Sequence, residues 1–288
     1  MEIKEILKLE FGLKENHIEN IINLLDDGCT IPFIARYRKE LTGSCDDQTL
    51  RNFDDRLKYL RNLFKRKDEV FNLISEQGNM TEDIEKALNM AGTLTEIEDI
   101  YRPFKPKRKT RASVAIAKGL QPLADIILAQ DITTPVEEIA VAYIDEEKGV
   151  NSVEEAINGA KDIIAETISD DANLRKVLRE IIAKKAQIKA TWVEEKDENK
   201  TYENYKDFTG EVVKMPSHRI LALNRGEKED CLKVNVEVNP KLTLTEIENA
   251  YKKENEFTNQ IMLDTIQDSY DRLLFPSLER ECRTALTD

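Results

Sequence analysis

Long apolar runs and cysteines are both scarce in this sequence of 288 residues. No apolar run approaches the roughly 20 residues that a membrane-spanning helix requires, and the N-terminus has no hydrophobic signal core. The four cysteines are too few and too scattered for a disulfide framework in a chain of this length. We therefore expect a cytoplasmic protein with reduced cysteines and no membrane partner.

The sequence also lacks the common catalytic and cofactor-binding motifs. Its two histidines, His17 and His218, lie far apart, and no Cys-x-x-Cys pair occurs, which argues against a zinc site. No glycine-rich phosphate loop and no Gly-x-Ser-x-Gly turn is present. Carboxylates are so numerous that pairs of them carry no information. The sequence predicts no enzyme, no cofactor and no metal.

The charge balance limits how the chain can contact polyanions. Against 56 acidic residues stand 43 basic ones, for a net charge of −13. A chain this acidic is not a general polyanion binder, so any nucleic-acid contact has to come from local basic patches. Charged residues make up 34% of the chain and aromatic residues only 6%, a composition typical of a helix-rich protein with a charged surface.

Apolar spacing predicts a mainly α fold with one long helix. Leucine and phenylalanine recur every three or four residues from Asp46 to Gln77, a length of roughly 48 Å for an α-helix. Further helix starts are predicted near residues 81, 95, 134 and 152, two of them from capping boxes at Thr95–Glu98 and Ser152–Glu155. Another helix is predicted from Asp171 to about Trp192.

A minor β element is predicted after residue 205. Composition shifts to charged residues, Asn and Tyr between 194 and 204, so we place a domain boundary near 200, with a helical region 1–200 and a mixed segment 201–288. Apolar and polar residues alternate from Leu232 to Val238, the one clear strand signal. Its partner is either a weak strand near Glu211–Lys214 or sequence that the chain lacks. A helix is predicted from Ser217 to a stop at Gly226.

The most polarised stretch of the chain is basic. Residues 100–124 hold no acid and seven basic residues: Arg102, Lys105, Lys107, Arg108, Lys109, Arg111 and Lys118. Two prolines favour extended backbone, so 107–111 is predicted as an exposed basic loop that could neutralise phosphates. Alternatively, it neutralises acidic helices beside it. Tyr101 and Phe104 could stack on bases or anchor the core.

A second basic patch is predicted within Thr30–Gly43. Pro32 starts a short helix whose polar face carries Arg36 and Lys39, with Arg38 beside them. The helix that precedes it across a glycine-containing turn suggests a helix-turn-helix. A structural role, with Arg36 bonded to helix ends, is an equal alternative.

A third basic run lies on the helix predicted from Asp171. We interpret it mainly as a solvated helix face, with polyanion contact as the alternative. Its members are Arg175, Lys176, Arg179, Lys184, Lys185 and Lys189.

Four segments together resemble signatures of one protein family. They are TIPFIARYRKELTG (residues 30–43), YRPFKPKRKTRASVAIAKGLQPLA (101–124), MPSHRILALNRGE (215–227) and PSLERECRTAL (276–286). In this order they resemble the bacterial Tex family of transcription accessory proteins, and the resemblance covers nearly the whole chain.

The resemblance implies an elongated, multi-helix N-terminal region with helix-turn-helix character, in a cytoplasmic nucleic-acid-binding protein. An RNase-H-like YqgF module, helix-hairpin-helix modules and an OB-fold RNA-binding domain follow in that family. We therefore expect this chain to be a fragment that stops before the YqgF module. Its partners would be RNA or DNA, with the transcription machinery as a further candidate.

Two functions remain open at this point. The first is non-specific phosphate contact, which positions a chain without reading sequence. The alternative is a structural or protein-interaction scaffold that organises later modules or docks on the transcription machinery. The residues predicted to contact nucleic acid are Arg102, Lys105, Lys107, Arg108, Lys109, Arg111, Arg36, Arg38 and Lys39.

Overall fold

Asp46 begins the longest helix of the protein. In the computed structural model, which describes residues 2–106 and 109–287, the Asp46 carboxylate accepts a hydrogen bond of 2.7 Å from the backbone N–H of Thr49. The helix then runs over Asp47–Glu76, which confirms the long helix predicted from the apolar spacing. The side chains that it buries are Leu50, Phe53, Leu57, Leu60, Leu63, Val70 and Ile74.

The chain divides into two compact units, residues 1–101 and 102–288. In the first unit the long helix is α5, and α1, α3, α6 and α7 pack along it. The helices of this unit are α1 (Ile3–Phe11), α2 (Glu15–Asp26), α3 (Ile31–Tyr37), α4 (Lys39–Thr42), α5 (Asp47–Glu76), α6 (Glu82–Met90) and α7 (Leu94–Tyr101).

The start of α7 differs from the predicted capping box at Thr95–Glu98. The hydroxyl of Thr93 caps the helix instead, accepting from the backbone N–H of Glu96, whose carboxylate accepts from Gly92 N–H at 2.7 Å. Glu98 is not available for a cap because it pairs with Arg66 of α5 at 2.7 Å.

The second unit packs helices around α11 and adds a small sheet. Its elements are α8 (Arg111–Ala117), α9 (Gln121–Ala129), α10 (Val136–Ala140), α11 (Val153–Asp170), α12 (Ala172–Lys185), β1 (Gln187–Trp192), β2 (Phe208–Glu211), α13 (Ser217–Lys228), β3 (Leu232–Glu237), α14 (Pro240–Tyr251), α15 (Asn259–Ser269) and α16 (Phe275–Thr287). Ser152 caps α11, as predicted, and α8, α9, α10 and α15 pack on this helix. The fold is mainly α, as the sequence predicts.

The predicted helix over Asp171–Trp192 is too long. It ends at Lys185, and Gln187–Trp192 forms β1, the central strand in the order β2-β1-β3. Ile188 and Ala190 alternate into the core, opposite Val236 and Val234 of antiparallel β3, so the buried period changes from helical to strand after Lys185. The β element thus begins before residue 205.

The partner of β3 is β1, which the sequence analysis missed. The weak strand predicted near 211–214 exists over Phe208–Glu211, but it pairs with the other edge of β1. Residues 212–214 form a 3₁₀ turn. All three strands therefore lie within this chain.

The composition change between 194 and 204 coincides with the connection from β1 to β2. It lies inside the second compact unit, whereas the boundary between the two units falls after residue 101. The buried carboxylate of Asp197 organises this connection, accepting from the Trp192 indole at 3.0 Å and from the backbone N–H groups of Thr201 and Tyr202 at 2.9 and 2.7 Å.

The sequence predicts that α13 ends at Gly226, but it does not. The helix continues to Lys228, and the side chains of Leu232 and Tyr202 lie 2.6 and 3.0 Å from where a Cβ on Gly226 would stand. The glycine therefore permits close packing of the helix on β3 and does not act as a stop signal.

Candidate nucleic-acid interface

The segment 30–43 places aromatic and basic side chains on the surface of the first unit. Ile34 is fully buried, and α3 packs against α5. On a helix, residues one turn apart share a face, so Phe33 and Tyr37 lie together, next to the buried position of Ile34 and with Arg36 beside them. Their ring centroids are 5.4 Å apart.

The helix predicted from Pro32 is interrupted at Arg38. The backbone of this residue (φ −129°, ψ 27°) ends α3, and Lys39 starts the separate helix α4. The Arg38 guanidinium turns back over the Phe33 ring, 5.1 Å from its centroid, and donates to the Tyr37 carbonyl at 3.3 Å. The helix-turn-helix interpretation of α2 and α3 stays a prediction.

All three basic residues predicted in this segment are exposed. Arg36, Arg38 and Lys39 reach solvent around the two rings, and the only acid in the stretch is Glu40. The exposed fractions of Phe33 and Tyr37 are 38% and 61%. We call these five side chains (Phe33, Arg36, Tyr37, Arg38 and Lys39) the α3 patch.

The basic segment of the second unit is partly turned inward. The Arg102 Nε donates to Asp170 at 3.1 Å, and its Nη2 donates to the Ser277 hydroxyl at 3.4 Å. Lys105 is half-buried. Because Arg102 already has an anionic partner, its charge is less available to a phosphate.

The rest of the predicted basic loop is described only in part. Lys107 and Arg108 lie outside the described residues. Lys109 and Arg111 are both exposed. Arg111 is the first residue of helix α8, although the sequence predicts it as the last residue of the loop. The pKa of Asp268 lies below its usual value, mainly because Arg272 donates a hydrogen bond to this carboxylate. The positive charge of Arg111 lowers the same pKa further. The charge of Arg111 therefore also acts on acids of its own unit.

Tyr101 belongs to the core of the protein. It is 6% exposed, with the Arg66 guanidinium 5.6 Å from its ring centroid. Phe104 is half-buried. Of the two roles considered for Tyr101, the structure supports the core anchor and not base stacking.

The third basic run is not a uniformly solvated helix face. Arg175 of α12 is fully buried, and it donates to Glu281 and Ser277 of α16 and to the Ser169 carbonyl. Arg179 donates to the other oxygen of the Glu281 carboxylate at 2.9 Å. This network was not predicted from the sequence, because nothing in a run of basic residues shows that a carboxylate about 100 positions later will face it.

A groove of about 380 Å³ opens between α8, α11 and the end of α14. Pro103 and Ile116 line it together with the acidic Asp170 and Asp171. The Tyr251 hydroxyl donates to Asp171 at 2.7 Å, and burial together with this bond raises the pKa of Tyr251. Both carboxylates are already hydrogen-bonded within the protein.

The described residues contain no group of three or more His, Cys, Asp or Glu side chains arranged to hold a metal ion. Over the same ranges, no single helix is long and apolar enough to cross a membrane. Helices α8 and α9 reach that length only together, across a bend of 110°.

The architecture is that of a mainly helical protein with a small antiparallel sheet and an exposed aromatic and basic patch. Residues 1–75 match the model of the Tex-like protein N-terminal domain, and residues 131–288 match the Tex central region-like model. The chain belongs to the Tex family, as the four sequence signatures indicate.

Curated relatives align along most of the chain. It is 44% identical over 99% of its length to the uncharacterized protein YdcI of Bacillus subtilis, and 38% identical over its whole length to the transcriptional accessory protein Tex of Neisseria gonorrhoeae. It is 31% identical over 93% of its length to the human S1 RNA-binding domain-containing protein 1. The chain spans 40%, 39% and 28% of these three relatives.

Proposed function

We propose that this chain supplies non-specific phosphate contacts to a transcription accessory protein, in the cytoplasm and without enzymatic activity. The observation that carries the proposal is the α3 patch, where three exposed cations surround two exposed rings. The names of two relatives, a transcriptional accessory protein and an S1 RNA-binding domain-containing protein, support the same class of role.

The local charge of the patch favours a polyanion. Residues 30–43 carry three cations and one acid, whereas the whole chain has a net charge of −13. A phosphate backbone is therefore attracted to this surface and repelled by most of the remainder. Because Arg36, Arg38 and Lys39 are exposed, binding costs little desolvation and should depend strongly on salt.

The segment 102–111 is the second surface of the proposal. Its contribution rests on the exposed Lys109 and Arg111 and on the predicted contacts of 107 and 108, since Arg102 is already paired with Asp170. We expect this surface to add affinity rather than to replace the α3 patch.

Fluorescence anisotropy of this chain with single-stranded RNA and with duplex DNA tests the proposal. We expect binding at about 50 mM salt that weakens about 20-fold at about 200 mM, if three cations each neutralise one phosphate of a single strand. The triple variant R36E/R38E/K39E should lose most of this binding.

A matched control separates the patch from net charge. The variant K228E/K233E/K241E changes three exposed lysines of the second unit and alters the net charge equally. If it weakens binding as much as R36E/R38E/K39E does, the patch is not the site. Absence of binding at low salt would reject the proposal altogether.

A scaffold role is the second candidate, favoured by the inward-turned arginines. Arg102 and Arg175 both reach Ser277 of α16, so these cations hold the second unit together rather than face a ligand. This candidate predicts that the chain binds purified RNA polymerase with little dependence on salt, and that it does not bind nucleic acid.

A further inference from the structure

Two exposed aromatic rings lie side by side in the α3 patch. Phe33 and Tyr37 are one helical turn apart, and their ring planes are tilted by 46°. Ile34 of the same helix is fully buried and anchors it, so the rings project from a fixed backbone. Aromatic side chains exposed next to one another are informative, since a core would normally bury them.

The two rings have different surroundings. The Arg38 guanidinium stands 5.1 Å from the centre of Phe33, and this ring is the less exposed of the pair. Tyr37 remains 61% exposed. Phe33 and Arg38 therefore contact each other, whereas Tyr37 is the ring that an incoming planar group can reach.

The charges around Tyr37 indicate what that planar group is. Arg36 precedes the ring in the chain, and Arg38 and Lys39 follow it, all three exposed. A ligand that places a planar group on Tyr37 therefore meets cations on either side, which suits a nucleobase flanked by its own phosphates. An apolar protein side chain would leave those cations without anionic partners.

We propose that Tyr37, backed by Phe33 and Arg38, is a stacking platform for an unpaired nucleobase, so that the α3 patch prefers single strands to duplexes. The inference rests on the proposed phosphate contact and adds a substrate class to it. A base inside a duplex is already stacked on both faces and cannot reach the ring, whereas an unpaired base can.

The test compares two strands with the same number of phosphates. One is oligodeoxythymidine of about 12 nucleotides, within the usual site size of single-strand binders, and the other is an abasic strand of equal length. Stacking of one base on an aromatic ring predicts that this chain binds the thymidine strand about 5- to 100-fold more tightly.

Variants of Tyr37 isolate the ring from the charges. Tyr37→Leu should weaken binding of the thymidine strand at least fivefold and leave the abasic strand within about twofold. Tyr37→Phe keeps the π-face and should retain the wild-type preference. Circular dichroism of both variants verifies that α3 remains folded.

Two results would overturn the inference, and they are distinguishable. Equal affinity for thymidine and abasic strands, with salt dependence retained, would remove the stacking platform and leave the phosphate contact standing. Absence of binding to either strand at low salt would remove both, and the exposed rings would then be a protein-docking surface.

Discussion

Replacing Glu281 should destabilise the second unit more than replacing its buried partner Arg175. The guanidinium of Arg175 is fully buried, and its partners include Glu281, the Ser277 hydroxyl and the Ser169 carbonyl. Glu281→Ala therefore removes a carboxylate partner from a cation in the interior. Removal of one member of a buried pair costs about 3–5 kcal/mol, because the other charge loses compensation.

Replacing Arg175 instead leaves the Glu281 carboxylate in place. In Arg175→Met, Glu281 keeps Arg179 as a partner at 2.9 Å and remains 31% exposed to solvent. The loss includes the hydrogen bonds that Arg175 donates, for which we expect a cost of about 1–2 kcal/mol. The double variant R175M/E281M removes both charges of the pair and should be more stable than Glu281→Ala alone.

Thermal and urea unfolding followed by circular dichroism measure these differences. For a domain of this size about 1 kcal/mol corresponds to roughly 2–4 °C, so Glu281→Ala should lower Tm by about 6–20 °C. Equal destabilisation by Glu281→Ala and Arg175→Met would contradict this prediction, because the two partners differ in burial.

Three further predictions follow from the structure. Changing residues 107–109 to Glu should lower affinity for RNA without lowering Tm in a melting experiment, and a comparable loss of folding would mean that the segment is structural. Burial alone would raise the pKa of Asp197, but hydrogen bonds chiefly from the Tyr202 N–H, and from Trp192 and Thr201, hold it below its usual 3.8. The Asp197 carboxylate thus stabilises the fold above pH 3.8, and this stabilisation is lost as the pH falls through the lowered pKa. Asp197→Asn should therefore make the free energy of unfolding depend less on pH in the acid range. An unchanged acid-unfolding profile would contradict this prediction. At the outer edge of β3, Glu279 accepts from the Val236 N–H at 2.8 Å and Arg283 donates to the Val234 carbonyl at 3.2 Å. The variant E279A/R283A exposes this strand edge, so it should self-associate in analytical ultracentrifugation. A monomeric variant would contradict the protective role of these two side chains.

The sequence predicted those elements whose signals are local. The apolar spacing marked the helix over Asp47–Glu76 within one residue at each end, and the capping box at Ser152 marked the start of α11. Such signals are local because a cap and a buried face are formed by residues a few positions apart.

Elements that depend on distant residues were missed or misplaced. β1 continues an apolar pattern that also fits a helix, and only its pairing with β3, more than 40 residues later, makes it a strand. Likewise Arg175 looked solvated because Glu281 is remote in sequence. In the candidate site, the sequence indicated Arg36, Arg38 and Lys39 but not Phe33 and Tyr37, whose exposure depends on which face of α3 packs on α5.

The salt dependence of nucleic-acid binding tests the proposed function most directly. We would measure the dissociation constant of a single-stranded RNA over a series of salt concentrations, for the wild-type chain and for R36Q/R38Q/K39Q. Each phosphate contact on a single strand contributes about 0.7 to the slope of log affinity against log salt, so the wild type should be steeper by about 2. Equal slopes would contradict phosphate contacts by the α3 patch.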